Sequence, residues 1–395
     1  MVTIFILDCK YKSFIFINKL LCGYFCKMNF SLIIDLMDFK RILIKWYGEN
    51  RRDLPWRNTT NPYYIWVSEI ILQQTRVAQG LSYYLKFLDS FPTVFDLANA
   101  SEDAVLKVWQ GLGYYTRARN LRSAAQHIVD KYQGEIPDTF DELIKIKGIG
   151  QYSAGAIASF AFKQAVPAID GNVYRIIARV FGVFTLSTTA KGRREFYDIV
   201  VELMDKTQPD VFNQALLDFG ALQCVPKSPK CEHCPFGKYC FAYMHNLVHV
   251  LPTRGKKTAA RSRYFTYLII KYNEYTFINR RKNKDIWQGL YEFPLIETHK
   301  PITLPRLTKH SEWKKIFGRN KHTISYVSEV VKHQLSHQTL YTQFIMVDIL
   351  TLPRILNSDY EMVLATDVDQ YSTPKVIDNF MVAEPASKYF LNNPE

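Results

Sequence analysis

The stretch LIKIKGIGQYSAGAIASFAFKQAVPAIDGN, residues 143–172, decides the fold. Phe140, Leu143, Ile144 and Ile146 keep a helical period that stops at Gly148-Ile149-Gly150. An isoleucine between two glycines predicts a tight hairpin: the glycines accept positive φ, and the apolar side chain plugs the gap between two helices. The next helix is rich in small residues, Ala154, Gly155, Ala156, Ala158 and Ser159, which lets a neighbour approach closely. Free amide N–H groups of the hairpin lie at that helix's N-terminus, where partial positive charge collects. Lys147, Gly148 and Gly150 would thus dock a phosphate of a nucleic-acid backbone and ignore base sequence. The helix frays before Pro167, and Asp170, bracketed by Pro167 and Gly171, caps a helix Val173–Phe181 as well as offering a carboxylate for chemistry. Taken singly, a GxG is often only a bend and an Asp before Gly only an N-cap; their occurrence in one short span is the informative feature.

At 395 residues the chain has room for two domains. With 48% hydrophobic and 22% charged residues it is globular rather than disordered or fibrous. A net charge of +13 and a pI near 9.2 favour an anionic partner, either nucleic acid or a membrane surface. No apolar run reaches the ~18 residues a spanning helix needs. Residues 1–36 are Phe/Ile-rich without caps or period and read as a weakly ordered extension, with a peripheral membrane anchor as the rival. Seven cysteines divide into Cys9, Cys22 and Cys26, and a cluster at Cys224, Cys231, Cys234 and Cys240. Clustered cysteines without a secretory signal point to a reduced compartment and to a metal, not a disulfide frame. The 6-2-5 spacing suits a tetrahedral zinc or a cubane cluster, although two C-x-x-C knuckles are not present.

Elsewhere helices dominate to residue 246. Phe39, Ile42, Leu43, Trp46 and Tyr47 share one face of the first, and Asn61-Pro62 starts another that should run to about Gln79. Glu69 in that helix has Ile65, Trp66, Leu72 and Gln73 as its neighbours, none cationic. Desolvation would raise its pKa, as a general acid requires; the alternative is a half-exposed Glu reaching Arg76. Trp109–Tyr115 interrupts the helices with glycines either side of Leu112, two tyrosines, and then Arg117 and Arg119. This is either a wedge loop that enters a base stack while arginines hold the backbone, or a helix end with a tyrosine packed inward. Residues 247–263 form a basic linker. Strands are then expected at Tyr264–Tyr272, Tyr275–Asn279, Trp287–Pro294 and Leu340–Leu350, with a last helix near Thr373–Met381 and a tail over 384–395. The chain is therefore expected to pair a mainly α region (37–246) with a smaller α+β domain (264–383).

Assembled, these features resemble the iron–sulfur branch of the helix–hairpin–helix DNA glycosylase superfamily that includes endonuclease III, and within it the MutY family of adenine DNA glycosylases. The residues that carry the resemblance are PWR (55–57), SEIILQQT (68–75), GLGYYTRARNL (111–121), KGIGQYSAGAIASFAF (147–162), PAIDGNVYRIIAR (167–179) and the four cysteines. WQGLYEFP (287–294) resembles the family's Nudix-like domain, without the glutamates that would hold magnesium, so that domain is expected to recognise rather than hydrolyse. Tyr152 stands where bifunctional members carry a lysine nucleophile, which implies a monofunctional enzyme. The resemblance implies excision of adenine opposite 8-oxoguanine or guanine by a monomer that binds double-stranded DNA and not membranes. It implies one [4Fe-4S] cluster on Cys224, Cys231, Cys234 and Cys240. It makes Glu69 and Asp170 the catalytic carboxylates, oriented by Tyr152 and Asn172. Trp56, Arg57 and Gln214 would line the adenine pocket, Gln74, Leu112 and Tyr114 would act beside the lesion, and Ser336 and His337 would read the opposite base. Leu335 stands where many members have phenylalanine. The rivals are an endonuclease III-like enzyme for oxidised pyrimidines and a non-catalytic cluster-bearing DNA-binding protein.

Overall fold

The computed structural model describes residues 36–255 and 260–383. The expected extension (1–36, save the helix start at residue 36), the tail (384–395), Cys9, Cys22 and Cys26 lie outside the described residues.

The N-terminal half is helical. α1 (Leu36–Asn50) buries Phe39 and Leu43 completely, on the face the sequence predicts. Asn61 caps α2 (Pro62–Leu72), accepting from the Tyr63 and Tyr64 amides. The helix expected to reach Gln79 ends seven residues earlier, and α3 (Val77–Ser90) starts after a break. Its cause is tertiary. The Arg117 guanidinium takes the carbonyls of Ile70, Ile71 and Gln73, and Gln74 sits at φ 59°, so the chain cannot continue as a helix.

α4 (Val94–Asn99) opens on a capping box of Thr93 and Asp96. α5 (Glu102–Trp109) and α6 (Thr116–Tyr132) flank the expected wedge loop. α7 (Phe140–Leu143) and α8 (Gln151–Phe162) enclose the hairpin, with Gly148 at φ 96° and Ile149 buried. A Cβ on Gly148 would lie 2.8 Å from the Asn120 Cβ, so glycine is needed both for backbone and for space. α9 (Gly171–Phe181), α10 (Ala190–Leu203) and α11 (Pro209–Leu222) complete this half, and the cysteine loop closes with α12 (Phe241–Met244).

The C-terminal half carries a mixed sheet. Strands β1 (Arg261–Lys271), β4 (Leu295–Thr298), β5 (His322–Val327), β6 (Val331–Gln334) and β7 (Gln338–Ile349) pair in the order β4-β1-β7-β5, with β6 also on β7. β1 and β7 run parallel, and the other pairings are antiparallel. Alternation along β1 sends Phe265, Tyr267 and Ile269 to one core and Leu268 and Ile270 to the other. A smaller sheet joins β2 (Tyr275–Arg280) to β3 (Tyr291–Glu292) and β8 (Glu361–Leu364).

The strand expected over Trp287–Pro294 shrinks to two residues, because Trp287 (φ 60°) and Gly289 (φ 85°) fold the chain into a turn. That turn pushes Leu290 into the core of the helical half. α13 (Leu304–Leu307), α14 (Ser311–Phe317) and α15 (Arg354–Asp359) cover the larger sheet's second face. α16 (Lys375–Val382), near the expected last helix, packs on the first face.

Candidate active site

Two carboxyl groups far apart in sequence meet where α2, α8 and the turn before α9 converge. Glu69 on α2 is 6% exposed, and the Tyr152 hydroxyl of α8 hydrogen-bonds to it. Burial pushes its carboxyl up to about 7; the Tyr152 bond and the Arg57 charge oppose that rise, and the Asp170 charge adds to it. Arg76, the alternative partner, is exposed at the start of α3 and leaves Glu69 buried.

Asp170 is the N-cap of α9 that the sequence predicts. Its Oδ1 accepts from the amides of Asn172 (2.8 Å) and Val173 (3.0 Å), and its Oδ2 from the Asn172 Nδ2 (2.6 Å). Burial raises this carboxyl too, against those three N–H donors and the nearby Arg175. The environments differ in kind: Asp170 has three N–H donors for its negative form, while buried Glu69 has the Tyr152 phenol.

Close packing sets this geometry. A Cβ on Gly155 would sit 2.3 Å from the Pro167 carbonyl oxygen, and one on Gly220 2.5 Å from the Asn172 Cβ. Bare helix surfaces thus let the Asp170 turn press against α8 and α11. Asn213, fully buried, accepts from the Ala168 amide (3.1 Å) and donates to Ser159 (2.9 Å) and the Val166 carbonyl (2.9 Å). Arg175 ties Asn172 (2.8 Å) to the carbonyls of Gly220 (2.6 Å) and Cys224 (2.7 Å). Sequence reading missed both. The available signal was a polar residue on an otherwise apolar helix face.

One wall of the site comes from the loop over residues 51–57 and from α11. Arg57 and Arg52 both bind Asp218, whose side chain has no solvent exposure. Asp218 also escaped the sequence reading, yet it orients the guanidinium whose charge reaches Glu69. The Tyr47 hydroxyl donates to Gln214 (2.8 Å), and the Trp56 ring packs edge-on against Tyr84.

The candidate wedge residues Gln74 (φ 59°) and Tyr114 (φ 49°) are both exposed and both left-handed, the kind of strain held at working surfaces. Tyr115 packs inward and accepts from the Gly111 amide (3.2 Å), so the two tyrosines divide between the two readings. Leu112 is buried in the core and is not presented to a base stack. Arg117 and Arg119, expected to grip DNA backbone, serve inside the protein: Arg117 on the α2 carbonyls, Arg119 on the Gln288 carbonyl and Thr116. The Tyr114 hydroxyl meets the Ser336 Oγ across the two domains, in the β6–β7 turn that also carries exposed His337 and half-buried Leu335. Lys147, Gly148 and Gly150 are exposed on the hairpin.

Cys224, Cys231, Cys234 and Cys240 are unbonded and lie within electrostatic reach of one another. Burial first, and then the other cysteines, push the Cys234 thiol up to about 12, and burial also raises Cys231 and Cys240. The Arg179 Nη1 donates to the Cys224 sulfur at 3.4 Å. Among the described residues no three His, Cys, Asp or Glu side chains converge on a single metal ion.

Comparison with known proteins gives the family. A model of the HhH-GPD superfamily of base excision DNA repair proteins matches residues 67–200, and a NUDIX domain model matches 266–383. The adenine DNA glycosylase of Buchnera aphidicola subsp. Baizongia pistaciae is 35% identical over 305 residues, covering 77% of this chain and 84% of that one. The chain belongs to the adenine DNA glycosylase family. The Rattus norvegicus adenine DNA glycosylase is 40% identical over 223 residues, 54% of this chain and 43% of that one. Among solved structures, a thermostable thymine-DNA glycosylase matches with a TM-score of 0.50 and 27% identity, over 53% of this chain and 97% of its own. This adenine DNA glycosylase is thus a base excision repair enzyme acting on DNA, with a helix–hairpin–helix catalytic half and a Nudix-like half. No helix among the described residues is long and apolar enough to cross a membrane.

Proposed function

We propose that the enzyme removes adenine mispaired with 8-oxoguanine, and with guanine, by hydrolysis of the N-glycosidic bond, leaving an abasic site. The observation that carries this reading is Glu69, buried with a carboxyl near 7 beside Asp170. Adenine leaves poorly unless protonated and must first be flipped from the helix. Glu69 gives its proton to N7 as the C1′–N9 bond breaks and neutral adenine departs. Asp170, with three N–H donors that favour its carboxylate form, faces the positive charge developing on the sugar. Water then adds at C1′ and returns a proton to the Glu69 carboxylate. Tyr152 orients Glu69, and Asn172 orients Asp170. Arg57, Trp56 and Gln214 line the base pocket, and Lys147, Gly148 and Gly150 hold a phosphate.

Gln74 and Tyr114 act beside the extruded base, with Ser336 and His337 against the opposite one. The Tyr114–Ser336 contact supports this assignment, because it joins the wedge to the candidate reader. Cys224, Cys231, Cys234 and Cys240 would hold one [4Fe-4S] cluster, whose positive irons would keep the buried sulfurs as thiolates and fold the loop. The enzyme acts as a monomer, with the domain boundary within 247–263.

Single-turnover cleavage on duplexes with adenine opposite 8-oxoguanine, guanine, cytosine or thymine tests the substrate assignment. Equal rates on all four would reject it. An absence of borohydride-trapped adduct is expected from the monofunctional reaction, whereas efficient trapping would favour a lyase.

A further inference from the structure

The loop Gln110–Tyr114 turns through three left-handed residues, Gly111 (φ 92°), Gly113 (φ 78°) and Tyr114 (φ 49°). A backbone so bent keeps one shape only when its surroundings over-determine it. Within the helical half, the Tyr83 hydroxyl donates to the Gln110 carbonyl at 2.8 Å. The Tyr115 hydroxyl also accepts from the Gly111 amide, and the Trp109 Nε1 and Arg117 Nη2 donate to the Gly113 carbonyl at 3.1 and 3.2 Å. Further supports come from the Nudix-like half. At the start of the loop, the Gln110 Nε2 donates to the Asp378 Oδ1 of α16 at 2.6 Å, a short bond to a charged acceptor. The Thr373 hydroxyl approaches the same oxygen at 3.4 Å. At its tip, Tyr114 meets Ser336. General docking of the two halves has separate contacts one to two turns earlier on α5, where Arg280 pairs with Glu102 (2.9 Å) and Asp103 (3.0 Å).

We propose that Asp378 is a positioning residue for base extrusion: through Gln110 it sets the backbone of the wedge loop and so presents Tyr114 to the DNA. The Nudix-like half then braces the extruding loop from behind, in addition to facing the base opposite. This rests on Tyr114 acting as the wedge.

The test uses the full chain carrying Glu69→Gln, so that the target base stays attached, and a duplex with 2-aminopurine at the target position opposite 8-oxoguanine. Fluorescence then reports extrusion, and thermal melting reports folding. Gln110→Ala and Asp378→Ala should each lower the extrusion equilibrium by about tenfold, the factor carried by one hydrogen bond to a charged acceptor. Gln110→Glu alone should lower it as well, by setting two carboxylates against each other. The reversed pair Gln110→Glu with Asp378→Asn remakes the bond with donor and acceptor exchanged, and should recover extrusion to within about threefold. Arg280→Ala, remote from the loop, should leave extrusion unchanged.

The proposal falls if the single variants extrude normally, if the reversed pair melts normally without recovering, or if Arg280→Ala is as harmful as Asp378→Ala. Tyr114→Ala separates the two levels of the argument. If it leaves extrusion intact, the wedge reading itself fails; if it abolishes extrusion while the Gln110 and Asp378 variants do not, the brace alone is refuted.

Discussion

Replacing Glu69 with glutamine should abolish base release and, at neutral pH and above, make the protein more stable. In the folded chain, burial holds the Glu69 carboxyl at about 7, against an ordinary value of 4.5. The folded state therefore binds the proton more tightly than the unfolded state does. Stability is fully present below 4.5, falls as pH rises through the interval between the two values, and is lost above about 7. At 1.36 kcal/mol per pH unit the loss amounts to about 3 kcal/mol.

Glutamine occupies the same space, can still accept from Tyr152 and does not titrate. The variant minus wild-type difference in denaturation midpoint should accordingly grow from pH 5 to pH 8 and then level off. A domain of this size melts some 2–4 °C higher per kcal/mol, so thermal scans resolve it. Base release by the variant should drop by about 10²–10⁴, the usual worth of a general acid. Wild-type single-turnover rates should fall as pH rises past about 7. A stability difference independent of pH, or one that shrinks as pH rises, would refute the argument that Glu69 is a desolvated acid.

Asp170→Asn should keep the fold, since asparagine caps α9 nearly as well. It should still lose base release, measured by single turnover, because the charge facing the sugar is gone. Asp218→Ala leaves Arg52 and Arg57 without their buried partner and should cost about 3–5 kcal/mol in urea unfolding. Gly148→Ala meets the Asn120 Cβ at 2.8 Å in a left-handed turn and should weaken binding to duplexes of any sequence, with a shallower salt dependence. Cys234→Ser should give a protein without the broad visible absorbance expected of an iron–sulfur cluster and with a less stable cysteine loop, read by absorbance and by proteolysis.

The sequence by itself determined everything that rests on local chemistry. GIG at 148–150 specifies a hairpin because glycine tolerates its φ, Asp170 specifies a helix start because its side chain reaches the next free amides, and the near-continuous apolar run of β1 suits a strand buried on both faces. The carboxyl of Glu69 could be suspected from its apolar neighbours, but whether it was buried or reached Arg76 depended on what packs over α2.

Tertiary structure decided that, and it decided where elements stop. α2 ends at Leu72 because Arg117, 45 residues onward, takes its carbonyls, and the strand at Trp287 gives way to a turn that inserts Leu290 into the other half. Arg117 and Arg119 look like DNA-gripping residues in sequence, whereas the fold uses their donors for carbonyls that would otherwise be orphaned. Asp218, Asn213 and Arg175 were illegible for the same reason. A charge or an amide acquires its role from partners brought together by packing, and a linear chain carries no record of which partners those will be.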